Sequence, residues 1–296
     1  LENEWGMTSW QNYTLMVAQL PNSAPVITSL GASQATVSYQ FSTTILASDI
    51  DNDTLSYGLL SAPLGSSIDS QTGQLTWTPS TVGIQQFSVV VSDALGLSST
   101  ITFNVSATNT EPVFSPVTNA TTSVGSSYTN TVSATDPDGH VLVYGLRNGP
   151  SGLIMSPQGA ISWNPSSNQV GEHLVVLEVN DPYGGADVIV FSVSIPNTPA
   201  VMTLTGVPST LFPGETLALN SVLTDSDGHQ VWMILEEGPQ GATVTSNGSI
   251  LWVPQGDQIG IHEFKIIVID AWGEGERETL SIEVVNRDPS GEFSTP

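Results

Sequence analysis

The sequence contains no cysteine, and this absence excludes a disulfide framework, zinc–thiolate sites and thiol catalysis. It has little positive charge, because four Lys and Arg residues stand against 28 Asp and Glu residues, giving a formal net charge of −24. A chain so poor in cations has no electrostatic means of binding nucleic acid or an anionic membrane surface. No run of 18 apolar residues occurs, so the sequence predicts no membrane-spanning segment.

The chain is long enough for several domains. Its 296 residues suit two to four domains, and apolar residues make up 39% of them, which is enough for buried cores. The sequence begins Leu1-Glu2 without a signal-peptide pattern, so we expect an excerpt from the interior of a longer polypeptide. The many acidic residues have two interpretations: a soluble, self-repelling surface, or a set of ligands for divalent cations.

Internal repetition is the strongest pattern in the sequence. Trp-x-Pro triplets occur 86 and 89 residues apart, and an Asn shortly before a Pro recurs at spacings of 87, 88 and 89 residues. The triplets begin at Trp77, Trp163 and Trp252, and the Asn/Pro pairs are Asn22/Pro25, Asn109/Pro112, Asn197/Pro199 and Asn286/Pro289. Two kinds of landmark therefore share one period.

Acidic landmarks follow the same period. Each repeat has an Asp-rich turn, and an Asp-x-x-Gly motif follows 44, 45 and 45 residues after the first Asp of that turn. The turns begin at Asp49, Asp136 and Asp225, and the later motifs are Asp93/Gly96, Asp181/Gly184 and Asp270/Gly273. Because independent landmarks keep one register, we interpret the chain as a tandem array.

The shared register predicts three full repeats, at 23–109, 110–197 and 198–286. Residues 1–22 are interpreted as the last strand of a preceding repeat, because Asn3-Glu4-Trp5-Gly6 stands where Asp-x-x-Gly is expected. Residues 287–296 are interpreted as the start of a following linker.

The hydrophobic period within each repeat is two residues, as in strands. Phe87, Val89 and Val91 alternate with Ser88, Val90 and Ser92, and similar alternation follows the later Gly. Such segments, bounded by Gly, Pro, Asn and Asp, are typical of half-buried strands. Short strands with frequent turn signals over this length predict an all-β fold of Greek-key sandwiches joined by short linkers.

The order of the motifs resembles a known family. Each repeat reads, in outline, Asn-x-x-Pro, Asp-x-Asp, Pro-x-Gly, Gly-x-[Leu/Ile]-x-Trp-x-Pro and Asp-x-x-Gly. This pattern resembles the cadherin-like, dystroglycan-type and "putative immunoglobulin" repeats of large bacterial extracellular adhesins and secreted proteins, and it covers nearly the whole chain. The resemblance implies seven-stranded immunoglobulin-like or cadherin-like sandwiches that stack end to end, with Ca²⁺ near the domain junctions.

The resemblance also implies which residues bind the ion: the acidic turn, the Asp of Asp-x-x-Gly and the linker Asn. The implied metal ligands are Asn22, Asp49, Asp51, Asp53 and Asp93, then Asn109, Asp136, Asp138 and Asp181, then Asn197, Asp225, Asp227 and Asp270. The linkers lack the Asp-x-Asn-Asp-Asn pattern of true cadherins and keep Asn-Thr-Glu-Pro or Asn-Thr-Pro. We therefore expect one or two Ca²⁺ ions per junction.

The acidic turns have two interpretations, as a metal site and as ordinary turns. Ca²⁺ takes six to eight oxygens at about 2.3–2.6 Å, and alternate residues of a tight turn can aim two carboxylates at one point. Asp-Gly and Asp-Pro are, however, common turn residues, because Asp accepts hydrogen bonds from its own backbone and Gly adopts positive φ. The first repeat, with Asp49, Asp51 and Asp53, is the strongest candidate for a metal site.

Tryptophan and histidine also recur in register. Because Trp77, Trp163 and Trp252 recur in every repeat, we predict that they pack in the cores. The other tryptophans do not recur, and they are candidates for a ligand surface or a junction contact: Trp5, Trp10, Trp232 and Trp272. The histidine pairs His140/His173 and His229/His262 are each 33 residues apart, and a structural role is favoured over a transition-metal pair.

The sequence predicts no enzyme. No Ser sits in a nucleophile elbow, and no glycine loop that would bind phosphate precedes a helix. We predict extender or adhesion repeats, stiffened by Ca²⁺, of a modular extracellular surface protein. The expected partners are neighbouring repeats and an extracellular polysaccharide or protein ligand. Two alternatives stay open: accessory spacer or carbohydrate-binding modules of a secreted polysaccharide-active enzyme, and direct homophilic or heterophilic adhesion by the repeats themselves.

Overall fold

The structure, a computed structural model, describes residues 4, 10–15, 21–287 and 293–294. Strands make up 50% of the described residues and helix 1%, which confirms the predicted all-β fold. The described helical segment is a single 3₁₀ turn, Ser167–Gln169. Across the described residues, no helix has the length and apolarity that a membrane crossing needs.

The chain forms two compact units. One unit consists of Leu1–Glu111, Pro137–His140 and Pro182–Gly185, and the other consists of Pro112–Asp136, Val141–Asp181 and Ala186–Pro296. The first unit therefore holds the first predicted repeat with two short segments of the second repeat. The other unit holds the strands of the second and third repeats.

The first repeat pairs its strands in two main sheets. Its strands are β1 (Val26–Ser29), β2 (Gln34–Thr36), β3 (Phe41–Thr44), β4 (Leu46–Ser48), β5 (Ser56–Ser61), β6 (Ser67–Ile68), β7 (Gln74–Trp77), β8 (Gly83–Ser92) and β9 (Ser98–Thr108). One sheet has the order β2-β9-β8-β5, another has β3-β7-β6, and β1 pairs with β4. The β2–β9 pair is parallel, whereas the β8–β9 pair is antiparallel.

The second repeat has the same topology. Its strands are β10 (Val113–Phe114), β11 (Ala120–Thr121), β12 (Tyr128–Thr131), β13 (Ala134–Thr135), β14 (Val143–Asn148), β15 (Ile154–Met155), β16 (Ala160–Trp163), β17 (Gly171–Asn180) and β18 (Ala186–Ile195). They form sheets in the orders β11-β18-β17-β14 and β12-β16-β15, and β10 pairs with β13.

The third repeat differs in one strand. Its strands are β19 (Val201–Leu204), β20 (Thr210–Leu211), β21 (Leu217–Thr224), β22 (Trp232–Glu237), β23 (Thr243–Val244), β24 (Ser249–Trp252), β25 (Gly260–Ile269) and β26 (Arg277–Val284). The sheets have the orders β20-β26-β25-β22 and β19-β21-β24-β23. The continuous β21 takes the place of two shorter strands, so the second sheet has four strands.

Each repeat has a core between its sheets, built from the alternating residues. Phe87, Val89 and Val91 are fully buried on β8, as the two-residue period predicted. The three repeated tryptophans are also buried, at 4%, 2% and 1% exposure for Trp77, Trp163 and Trp252, which confirms the predicted core packing. The ring of Trp252 meets Phe264 edge to face with centroids 5.4 Å apart.

The two ends of the chain are described only in part. The strand predicted within residues 1–22 falls largely outside the described residues, and the described segment 10–15 is not a strand. A strand needs a partner to complete its hydrogen bonds, and no described strand pairs with this segment. At the boundary between the third predicted repeat and the following linker, β27 (Asn286–Arg287) pairs with β28 (Phe293–Ser294).

Candidate metal centres

Three segments of the first repeat meet at one place. The acidic turn joins β4 to β5, Asp93 begins the turn between β8 and β9, and Asn22 lies in the segment before β1. Asn22 Nδ2 donates to Asp93 Oδ2 at 2.9 Å, and the Ser23 amide donates to Asp51 Oδ2 at 2.8 Å. The segment before β1 is therefore tied to both turns.

The acidic turn is folded by one oxygen of Asp49. The amides of Asp51 and Asp53 donate to Asp49 Oδ1 at 2.8 and 3.3 Å. Asn52 adopts a φ of 60°, a left-handed conformation that Asn tolerates better than most residues. The turn interpretation of this motif is thus correct for one carboxylate oxygen, and it leaves the second oxygen free for another role.

Asp93 folds its own turn in the same way. Its Oδ1 accepts the amides of Leu95 and Leu97, both at 2.9 Å, while its Oδ2 accepts the Asn22 side chain. Because a carboxylate only accepts, the amide nitrogen of Asn22 must face Asp93. The oxygen of Asn22 consequently points away from Asp93.

Three oxygens of this cluster are buried without a hydrogen-bond partner among the described residues: Asn22 Oδ1, Asp49 Oδ2 and Asp53 Oδ2. The carboxylates of Asp49, Asp51 and Asp53 each bring an oxygen within 4.8 Å of the others. Buried polar atoms in folded proteins nearly always have partners. A cluster of buried oxygens therefore fits a bound hard cation, which would serve as the partner of each.

Electrostatics favour the same conclusion. Burial raises the pKa of Asp53, and the negative charges of Asp49, Asp93 and Asp51 raise it further. A raised carboxyl pKa means that the surroundings disfavour the charged form. A divalent cation would reverse this effect, because it replaces repulsion between carboxylates with attraction to the ion.

The third repeat reproduces this arrangement. The amides of Asp227 and His229 donate to Asp225 Oδ1 at 2.8 and 3.1 Å, and Thr198 N–H donates to Asp227 Oδ2 at 2.6 Å. Asp225, Asp227 and His229 bring their ligand atoms within 4.8 Å of one another. Asp225 Oδ2 is buried and has no hydrogen-bond partner in the described part of the chain.

Asp270 takes the place of Asp93. Its Oδ1 accepts the amides of Trp272 and Glu274 at 2.8 and 3.0 Å, and its Oδ2 accepts Asn197 Nδ2 at 2.6 Å. Asn197 Nδ2 also lies 3.3 Å from Glu274 Oε2. Asn197 Oδ1, like that of Asn22, is buried and lacks a hydrogen bond to any described residue.

The second repeat keeps part of the pattern. Thr110 N–H donates to Asp138 Oδ2 at 2.6 Å, as the residue after the linker Asn does in the other two repeats. Asn109 and Asp136 are half-buried, and Asp181 is buried. His140 Nε2 lies 3.1 Å from Ser38 Oγ.

Two residues near these centres were not among the predicted ligands. His229 stands four residues after Asp225, where the first repeat has Asp53, and the repeat register was a signal for this equivalence. Glu274 had no such signal, because the first repeat has Leu97 at that place and the second has Gly185. The histidines His173 and His262 instead meet the rings of core tryptophans edge to face, with centroids 5.2 and 5.0 Å apart.

The carboxyl of Asp93 offers a test of the linker contact. Burial raises its pKa, but the hydrogen bonds from Asn22 and from the amides of Leu97, Leu95 and Gly96 outweigh burial and hold the pKa below its ordinary value. A lowered pKa stabilises the folded state above the ordinary pKa of Asp, about 3.9, and this stability is lost as the pH falls through the folded pKa.

We expect Asn22→Ala to raise the pKa of Asp93 towards its ordinary value, because the carboxylate loses a hydrogen-bond donor. The variant then has less stability to lose in acid. An NMR titration of carboxyl carbons, in chelator, measures the pKa, and unfolding at several acidic pH values measures the stability. Asp69 is the internal reference, since the amides of Thr72 and Gln71 lower its pKa without any contribution from Asn22. An unchanged Asp93 pKa in the variant would contradict the contact.

Comparison with known sequences identifies the first two repeats. Residues 22–106 match the family described as "Bacterial Ig domain", and residues 111–196 match the family described as "Putative Ig domain". The chain carries tandem immunoglobulin-like domains. The resemblance inferred from the repeat motifs is confirmed, whereas the predicted ends of each repeat stay predictions.

Several proteins resemble these immunoglobulin-like domains. Chitinase A of Pseudoalteromonas piscicida is 35% identical over 136 residues, which cover 44% of this chain and 17% of the chitinase. The match therefore spans a small part of that enzyme. Mouse cadherin-23 EC22–24 is 18% identical, covering 90% of this chain and 100% of that one, with a TM-score of 0.40. The human desmocollin-1 ectodomain is 15% identical, covering 89% and 61%, with a TM-score of 0.36.

Proposed function

We propose that these immunoglobulin-like domains bind Ca²⁺ where each linker meets its domain, and that they serve as extender or adhesion repeats of a modular extracellular surface protein. The observation that supports the ion is the set of buried oxygens without hydrogen-bond partners in the described first repeat, contributed by Asn22, Asp49 and Asp53. In this proposal the repeats carry no catalysis themselves, and they position binding modules elsewhere in the parent protein.

The chemistry of the donor set fits Ca²⁺. Carboxylate and amide oxygens are its preferred ligands, and extracellular modules typically bind it at about 10⁻⁴–10⁻³ M. Asn22 Oδ1, Asp49 Oδ2 and Asp53 Oδ2 would hold the ion, with Asp51 offering the carboxylate oxygen that does not accept the Ser23 amide. Water and backbone carbonyls would complete the coordination.

Asp93 has a positioning role in this proposal. Both of its oxygens accept hydrogen bonds, and the bond from Asn22 sets the orientation in which Asn22 Oδ1 is turned away from it. Its role as a direct ligand stays a prediction, since Oδ2 accepts one described hydrogen bond and retains a further lone pair.

The proposed stiffening of the array follows from the positions of the ligands in the chain. Asn22 belongs to the segment before β1, whereas Asp49 and Asp53 belong to a turn within the domain. An ion shared among them restrains the rotation of that segment relative to the domain. Without the ion, three carboxylates within 4.8 Å repel one another and weaken the same restraint.

Small-angle X-ray scattering with and without chelator tests the extender function. With Ca²⁺, we expect a longer maximum dimension and a narrower distribution of interatomic distances than in chelator. The double variant Asp49→Asn, Asp53→Asn is expected to lose part of this response. Asp69→Asn is the control for losing a turn carboxylate outside the cluster, because Asp69 accepts the amides of Gln71 and Thr72 in a different turn. A maximum dimension that is the same with Ca²⁺ and with chelator would count against stiffening.

A second function has its own support in the identity shared with part of a chitinase. On that basis the repeats would be accessory modules of a secreted polysaccharide-active enzyme, acting as spacers or sugar binders. Trp272 is a described candidate for a sugar platform, because 45% of its surface is exposed. Retention of the chain on insoluble chitin that is lost in Trp272→Ala would favour this function over adhesion.

A further inference from the structure

His229 makes the third repeat chemically different from the first. It occupies the place of Asp53, so an imidazole nitrogen replaces a carboxylate oxygen in the group of ligand atoms. Its side chain is 4% exposed, and that of its neighbour Asp225 is 1% exposed. Both groups are therefore held inside the domain rather than at its solvated surface.

The hydrogen bond at one ring nitrogen of His229 determines whether the other ring nitrogen of the neutral imidazole carries a proton. His229 Nε2 lies 2.9 Å from the carbonyl oxygen of Ser167, and a carbonyl oxygen can only accept, so Nε2 carries a proton. In the neutral imidazole the lone pair is then on Nδ1. This is the pattern of metal-binding histidines, in which a backbone carbonyl fixes the tautomer and leaves the other nitrogen for the metal.

The lone pair of Nδ1 faces other electron-rich atoms. Nδ1 lies 3.5 Å from Asp225 Oδ1, and it has no hydrogen-bond partner among the described residues. Asp225 Oδ1 already accepts two backbone amides, and Asp225 Oδ2 is buried without a hydrogen bond from the described chain. The ring of Trp272 lies against the imidazole, with centroids 4.2 Å apart, and helps to bury it.

We propose that the third repeat binds a transition-metal ion of the Zn²⁺ class through His229 Nδ1, together with Asp225 Oδ2 and Asn197 Oδ1, whereas the first repeat has only oxygen donors. Imidazole suits Zn²⁺ and related ions, whereas all-oxygen sites suit Ca²⁺. The repeats then differ in metal preference although their turns are equivalent. The inference rests on the proposed role of the acidic turn as a cation site.

A proton on Nδ1 is the competing arrangement. An imidazolium would form an ion pair with Asp225 and would need no metal. The two arrangements predict different responses to Zn²⁺. If His229 is a ligand, Zn²⁺ changes the environment of its ring nitrogen, and His229 contributes to the affinity for Zn²⁺. If His229 forms an ion pair with Asp225, it shows neither response.

Calorimetric titration of the full chain with Zn²⁺ tests the proposal. His229→Asp restores the ligand set of the first repeat, and we expect it to weaken Zn²⁺ binding at one site by about 10-fold or more while leaving or improving Ca²⁺ binding. His262→Asn is the matched control, because His262 is in the same repeat but contacts the Gln258 carbonyl and the ring of Trp252. We expect unchanged Zn²⁺ binding in the control.

Long-range ¹H–¹⁵N spectra of the histidine rings give a readout independent of affinity. Zn²⁺ is expected to shift the Nδ1 resonance of His229 while Nε2 remains protonated. Equal Zn²⁺ affinity in the wild type and His229→Asp would overturn this inference and leave the Ca²⁺ proposal in place. An Nδ1 resonance of His229 that does not shift when Zn²⁺ is added would do the same. If Asp225→Asn changes the binding of neither metal, the cation site of the third repeat is wrong altogether.

Discussion

Saturating Ca²⁺ is expected to raise the free energy of unfolding of the first repeat by about 1–3 kcal/mol, because the ion binds the folded state and not the unfolded chain. The effect depends on Asp53, whose carboxylate has a buried oxygen with no described hydrogen bond and a pKa raised by burial and by neighbouring charges. Urea unfolding with Ca²⁺ and with chelator, followed by a probe in the first repeat, measures it.

The order of stability of Asp53→Asn and the wild type should depend on whether Ca²⁺ is present. In chelator it relieves repulsion among the carboxylates, so we expect it to be at least as stable as the wild type. With Ca²⁺ it loses a ligand, and the wild type becomes the more stable protein. Asp69→Asn should instead lower stability equally under both conditions, since Asp69 folds a turn through two backbone amides. A wild type equally stable with Ca²⁺ and with chelator would contradict the site.

Replacing Trp252 by alanine is expected to lower the free energy of unfolding of the third repeat by about 3–5 kcal/mol, because it leaves a large cavity in a small core. The ring is 1% exposed, packs edge to face on Phe264, and donates from Nε1 to the Gln240 carbonyl at 3.2 Å. Denaturant unfolding, resolved by domain, measures the loss.

The same experiment tests whether the cores are independent. Since the buried cluster around Trp252 consists of residues from the third repeat, we expect the first repeat to keep its unfolding midpoint in Trp252→Ala. Trp232→Ala is the comparison within that repeat, because Trp232 is half-buried on β22 and does not recur in register. A smaller loss in Trp252→Ala than in Trp232→Ala would contradict the assignment of the repeated tryptophans to the core.

Much of the fold could be predicted because its signals are local and repeated. The two-residue alternation around Phe87 identifies a half-buried strand, and the recurrence of Trp-x-Pro identifies a core position in every domain. The break between β3 and β4, absent from the continuous β21, could not be predicted, since it depends on how neighbouring strands pair.

The candidate metal centre was predictable as a set of residues but not as a set of atoms. Asp49 uses one oxygen to fold its turn and buries the other, and nothing in Asp-x-Asp separates these two roles. The state of His229 depends on the Ser167 carbonyl, which lies 62 residues earlier in the chain. Contacts of this kind arise from how one repeat meets the next, so a pattern within a single repeat does not contain them.

The most direct measurement is diffraction from a crystal grown in millimolar Ca²⁺, at a wavelength where calcium scatters anomalously. We expect an anomalous peak in the first repeat about 2.3–2.6 Å from Asn22 Oδ1, Asp49 Oδ2 and Asp53 Oδ2. A map with only water among those oxygens, and no anomalous peak, would contradict the proposed calcium site.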